Sequence, residues 1–103
     1  MPNQSAELNR VFQALADPTR RAVLEQLCSG PAPMSELAQP FKMALPSFSQ
    51  HLDVLEACGL VRSRKTGRVR TYQLAPQPLK VAEHWMSRQR AIWERLGRAR
   101  SLS

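Results

Sequence analysis

The chain has 103 residues, 43% of them apolar, and a net charge of +7 with a sequence pI near 10.8. That length fits one domain, residues 1–103, and excludes a larger assembly of domains on one chain. The charge is divided unevenly: residues 1–61 carry four Lys/Arg against six Asp/Glu, and residues 62–103 carry eleven against two. An ordinary part is thus followed by a strongly cationic part, the balance expected of a protein with a polyanionic partner such as nucleic acid. Cys28 and Cys58 lie in no Cys-x-x-Cys and have no ligand cluster around them, which argues against a disulfide framework or structural zinc. No apolar run reaches the roughly 18 residues of a membrane span. The polar start Met1-Pro2-Asn3-Gln4 lacks a signal-peptide core, so a reducing, cytoplasmic setting is expected.

Residues Glu7 to Ala16 place Leu8, Val11, Phe12 and Leu15 at the spacing of one helix face. Asp17 is a cap for a second helix whose first position is Pro18, where a missing N–H costs nothing. That helix turns Ala22, Val23, Leu24, Leu27 and Cys28 inward and ends at Ser29-Gly30-Pro31. A short third helix is expected over Met34–Gln39, with Leu37 and Ala38 inward and Pro40 as its stop. A fourth, over Leu45–Ala57, has Leu45, Phe48, Leu52 and Leu55 as its buried face and Gly59 as its close. The period then changes to alternation: Leu60–Lys65 and Val69–Leu74 are two strands around a turn at Thr66-Gly67-Arg68. Tyr72 and Leu74 are on the core side. After Pro76 and Pro78, a last helix over Leu79–Arg98 carries Leu79, Ala82, Trp85, Met86, Gln89, Trp93 and Leu96 along one stripe, with Ile92 beside it. Residues 99–103 are expected to fray. Four helices, a basic hairpin and a helix give a mainly α fold with a small β-hairpin, laid out as a winged helix-turn-helix.

Four segments carry a family resemblance: Ala14-Leu15-Ala16-Asp17-Pro18-Thr19-Arg20-Arg21, then Leu37-Ala38, then Leu45-Pro46-Ser47-Phe48-Ser49-Gln50-His51-Leu52, then Leu55-Glu56-Ala57-Cys58-Gly59-Leu60-Val61. In this order and spacing they resemble the ArsR/SmtB family of bacterial repressors, over about residues 7 to 100. The resemblance implies a homodimer formed through the first and last helices, a recognition helix at 45–57 and a wing at 61–74. Metal-responsive members of that family use cysteines in the third helix or His/Asp pairs in the last. Here the third helix has no cysteine, and the last has one histidine, His84, near Glu83. The chain is therefore similar to the branch without metal ligands, and no metal or other cofactor is expected. A small-molecule effector is not identifiable. Family members also often have Ser or Thr where this chain has Ala44. Losing that cap costs roughly 1 kcal/mol, which Pro46 in the first turn partly offsets.

On the fourth helix the core claims Phe48, Leu52 and Leu55. Ser47 and Gln50 are the candidates for base edges, since a Gln amide pairs with adenine and a Ser hydroxyl serves either base type. Ser49 is a candidate phosphate contact, as is Lys42 just ahead of the helix. Two readings of His51 stand: a phosphate or base contact, or a half-buried ring bonded within its own turn. Arg62, Arg64, Lys65, Arg68 and Arg70 put five cations into nine residues with no acid among them. Alternation puts Arg62 and Arg64 on one side and Lys65 on the other. Arg64, Lys65, Arg68 and Arg70, nearest the tip, are the candidates for double-stranded DNA, on phosphates or, for Arg68, in the minor groove. The competing reading is an edge hairpin protected from aggregation by charge.

The apolar stripe of the last helix is more than a core of this size covers, and it points to a homodimer interface of Leu8, Val11, Phe12, Trp85, Met86, Trp93 and Leu96. The arginines at 88, 90, 95, 98 and 100 are expected to face solvent. No positioned catalytic constellation or Gly-rich phosphate loop occurs, so an enzyme is not expected. Besides a DNA-binding repressor, two other classes fit the pattern. One is a thiol- or metal-responsive sensor repressor using Cys28 and Cys58, against which the two cysteines read as small buried hydrophobes. The other is a protein-interaction domain on the same scaffold, which the wing charge disfavours.

Overall fold

Asp17 starts the second helix as its sequence implies: the carboxylate accepts from the Arg20 amide at 3.1 Å, and Pro18 occupies the first turn. This junction separates α1 (Gln4–Leu15) from α2 (Pro18–Leu27) in the computed structural model, which describes residues 4–101 and the side chains of 5–98. α3 spans Met34–Ala38, α4 Leu45–Ala57 and α5 Gln77–Ser101. The architecture is the winged helix-turn-helix expected, mostly helical with a small antiparallel sheet.

α4 has the bounds its periodicity indicates, and its end is a glycine cap. The Gly59 amide donates to Glu56 O and the Leu60 amide to Leu55 O, both at 3.0 Å, with Gly59 at φ +81°. Those paired bonds satisfy the last carbonyls and turn the chain into the sheet. α5 begins two residues earlier than expected, because Pro78 sits in its first turn, where a proline is tolerated, and does not break it. α1 also begins earlier than the spacing indicates, at Gln4. α5 also continues to Ser101, three residues past its expected end, so the fraying expected from residue 99 does not begin there; residues 102–103 lie outside the described residues.

The sheet has three strands where two were expected. β2 (Val61–Thr66) and β3 (Val69–Leu74) pair in the expected register, joined by a two-residue turn. Gly67 holds φ +62° there, and among the described residues no non-glycine has positive φ, as a turn with glycine first requires. Thr66, expected in the turn, belongs to the strand and pairs with Val69. The unforeseen strand is β1, Ala32–Pro33, antiparallel to β3 through Ala32–Tyr72 and Pro33–Thr71. It makes β3 central and leaves β2 at the edge. It also ties the start of α3 to the wing.

The core is one cluster: Val11 and Ala14 of α1, Val23, Leu24 and Leu27 of α2, Ala32 of β1, Leu37, Phe48, Leu52, Leu55, Leu60, Val61, Tyr72 and Ala82. Three expectations about burial are corrected. Leu45 is 56% exposed, because it lies in the first turn of α4, beyond the reach of the core that encloses Phe48. Cys28 is exposed at the end of α2, while Cys58 is half-buried; both thiols are free. Val11 is fully enclosed within the protomer, so it belongs to the core and cannot meet a partner.

Candidate nucleic-acid interface

α3 and α4 form the helix-turn-helix, joined by residues 39–44. The Gln26 amide on α2 donates to Leu37 O at 3.3 Å and helps seat α3. With Phe48, Leu52 and Leu55 turned inward, α4 presents Ser47 and Gln50 exposed on its outer side; Ser49 is half-buried, and Lys42 stands exposed before the helix. The start of α4 has no side-chain cap: Ala44 offers only its carbonyl, which accepts from the Ser47 and Phe48 amides at 3.0 Å.

The register sorts the wing cations by face. Arg62 and Arg64 pair with Gln73 and Thr71 on one face. Lys65 pairs with Arg70 on the other, the face that carries Ser63 and the buried Tyr72. Arg62, Arg64, Lys65, Arg68 and Arg70 are all exposed.

The wing is braced to the end of α4 by a connection the sequence did not reveal. The Ser63 hydroxyl donates to Glu56 Oε2 at 2.7 Å, and Arg70 Nη1 donates to the Ser63 oxygen at 2.8 Å. One of Arg70's donors is therefore used inside the protein. Nearby, burial and the Glu56 charge push the Tyr72 phenol above its ordinary pKa, which keeps it neutral under the sheet.

Within the protein, His51 meets groups of another helix. Its Nδ1 lies 3.2 Å from Arg20 Nη1 and 3.7 Å from Asp17 Oδ2, at the start of α2. The ring is half-buried, as one expected reading had it, but it bonds across helices and not within its own turn. A guanidinium only donates, so the contact assigns Nδ1 as acceptor. Arg20 also donates through Nε to Ala14 O and through Nη2 to Gln13 O, both at 2.8 Å. One side chain thus joins the end of α1 to the middle of α4. Burial raises the Asp17 carboxyl, but the Arg20 amide, the His51 ring and the Arg20 charge outweigh it and hold the group below its ordinary range.

Along α5, Trp85 packs edge-on against Phe12 of α1, with centroids 5.7 Å apart. Leu8 and Phe12 are half-buried against the core. Beyond Trp85 the helix runs free of the body: Met86, Ile92, Trp93 and Leu96 are exposed, Trp93 at 61%. A cleft of about 530 Å³ between Phe12, Trp85, Met86 and Trp93 opens on this side. The radius of gyration, 17.2 Å, exceeds the roughly 13 Å of a compact chain of this length, as a projecting apolar helix requires. Arg88, Arg90, Arg95 and Arg98 are exposed, as expected, and Arg90 meets Glu94 at 3.7 Å; the side chain of Arg100 lies outside the described set.

Cys28 Sγ and Cys58 Sγ each approach a carbonyl of their own helix, Leu24 O and Leu55 O, at 3.4 Å. Among the described residues, no three His, Cys, Asp or Glu side chains come together as a metal site would need, and no helix is long and apolar enough to cross a membrane.

Residues 17–63, from the cap of α2 to the start of the wing, match the family model described as bacterial regulatory protein, arsR family. The chain is similar to the HTH-type transcriptional regulator Rv2034 of Mycobacterium tuberculosis, 48% identical over 71 residues, which are 69% of this chain and 66% of that protein. It is also similar to the transcriptional repressor SdpR of Bacillus subtilis, 33% identical over 79 residues, 77% of this chain and 88% of that protein. Among solved structures, an ArsR family transcriptional regulator, RHA00566, superposes with a TM-score of 0.85 at 52% identity, covering 91% of this chain and 97% of that one. A domain of Mb0332 from Mycobacterium bovis, described as a homodimeric winged helix-turn-helix DNA-binding domain, superposes with a TM-score of 0.65 at 28% identity, covering 93% and 91%.

Proposed function

The chain belongs to the ArsR family of bacterial regulatory proteins, and on that premise we propose that it is a transcriptional repressor that binds an inverted-repeat operator as a homodimer. α4 lies in the major groove, and the wing, residues 61–74, follows phosphates or the adjacent minor groove. The observation that carries this reading is the brace from Glu56 through Ser63 to Arg70. It fixes a strand pair with five exposed cations relative to the exposed outer side of α4. A hairpin charged only to avoid aggregation needs no such alignment.

Within the interface, Ser47 and Gln50 read base edges, while Ser49 and Lys42 contact phosphates. Arg64, Lys65, Arg68 and the remaining donors of Arg70 supply the phosphate affinity. His51 is assigned to holding α4 against α2 through Arg20. The dimer forms through the half-buried Leu8 and Phe12 of α1 with Trp85, Met86, Trp93 and Leu96 of α5; apolar aromatic anchors of this kind suit an interface centre. That the Mycobacterium bovis domain is described as homodimeric supports a dimer. No catalytic role is assigned. The two free thiols, on the ends of different helices and without a shared partner, give no reason to prefer a thiol switch.

The test is selection of bound duplexes from a random pool. An inverted repeat with half-sites centred about one helical turn apart is expected. Absence of any enriched sequence would overturn the reading.

A further inference from the structure

Resting on that reading, we infer that Leu45 is a sequence-specificity residue which contacts the C5-methyl group of a thymine in the operator. Leu45 is the first residue of α4, directly before the Pro46-Ser47 turn, and it is 56% exposed although Phe48, one turn on, is fully buried. Side chains on a helix lean toward its N-terminus, so Leu45 extends past the end of α4 that a recognition helix points at base edges.

The surroundings are as unusual as the exposure. Leu45 lines a cleft of about 280 Å³ with Met34, Val69, Arg68 and Arg70. Val69, at the start of β3, is also more than half exposed. An apolar floor therefore lies between the reading helix and the tip of the wing, rimmed by two arginines. Leu45 and Val69 belong to no part of the core cluster, so their exposed apolar surface is open to a partner. Duplex DNA held by those arginines presents one apolar group in its major groove, the thymine methyl. The polar readers Ser47 and Gln50 follow two and five residues along the same helix, so Leu45, at its very end, adds a methyl contact ahead of their hydrogen bonds.

The experiment replaces each thymine of the selected operator by deoxyuridine, which removes only the methyl, and compares affinities of the wild type and Leu45→Ala. One thymine per half-site is expected to cost the wild type about fourfold when replaced, the worth of one buried methyl. The same replacement should cost Leu45→Ala nothing. Leu45→Ala should weaken binding to the thymine operator while leaving non-specific duplex binding and Tm unchanged. Uniform tolerance of deoxyuridine by the wild type overturns the proposal, and so does a penalty that persists in Leu45→Ala. The deoxyuridine arm uses the unaltered protein, so it does not depend on how the variant folds. Failure to select any operator at all would instead refute the DNA-binding reading as a whole.

Discussion

Replacing Arg20 by alanine should be among the most damaging single changes outside the core. The side chain donates to Ala14 O and Gln13 O at 2.8 Å and meets His51 Nδ1 at 3.2 Å. Hydrogen bonds from a charged donor are worth about 1.5–3 kcal/mol each, and a buried carbonyl left without a partner costs about 1–3 kcal/mol. The bond to Gln13 is solvent-exposed and counts for little. The bond to Ala14 is half-buried, on a residue fully enclosed by the core. A loss of about 2–3 kcal/mol follows, and at about 4–8 °C per kcal/mol for a domain near this size Tm should fall by about 10–20 °C. Urea unfolding at one fixed protein concentration measures this, because a dimer's stability depends on concentration. The midpoint should drop with the slope unchanged. Arg20→Lys, which keeps the charge but not the planar fork, should recover less than half of the loss. Affinity for the selected operator should fall more than affinity for random duplex, since α4 loses its tie to α2. An Arg20→Ala midpoint equivalent to within about 0.5 kcal/mol of wild type would refute the role given to this side chain.

Four further outcomes are expected. If each subunit neutralises about three to five phosphates, the logarithm of affinity should fall with the logarithm of salt at a slope of about −5 to −9 for the dimer; a slope near zero would remove the wing from the interface. Gln50→Ala should reduce discrimination between operator and random duplex by about 1–3 kcal/mol, whereas Arg68→Ala should weaken both alike, and competition binding that gave the reverse would exchange their roles. Trp93→Ala should weaken dimerisation by about thirtyfold or more, as a buried aromatic anchor does, seen by sedimentation equilibrium; an unchanged dimer would place the interface elsewhere. Asp17 has a lowered pKa in the folded chain, so its contribution is present above the ordinary carboxylate range and is lost as pH falls below about 4. Asp17→Asn, which retains a capping oxygen, should flatten the stability profile in that window and nowhere else.

The helices, the hairpin and their order were legible because their signals are local. α4 could be bounded to the residue from its apolar steps and Gly59, and Asp17-Pro18 announced the start of α2. β1 was not legible: two residues, one of them a proline, cannot show alternation, and its partner lies some forty residues downstream. Leu45 fits the helical period of its neighbours, yet periodicity does not say where along a helix the core ends. The same limit placed Val11 on an interface, although it is fully enclosed in the protomer's own core. Arg20, Glu56 and Ser63 went unremarked because their partners come from other elements. The partner of the His51 ring, Arg20, lies 31 residues earlier in the chain, beyond the reach of any local pattern. The exposed faces of α4, the wing and α5 followed from the pattern; the side chains that hold those faces in register did not.

The geometry of binding is tested most directly by a hydroxyl-radical footprint of the dimer on its selected operator. Two protected stretches are expected on one face of the duplex, centred about one helical turn apart. Each should carry a flanking protection that disappears with Arg68→Ala. A single continuous block, or flanks that Arg68→Ala leaves intact, would contradict a dimer that reads with α4 and grips with its wing.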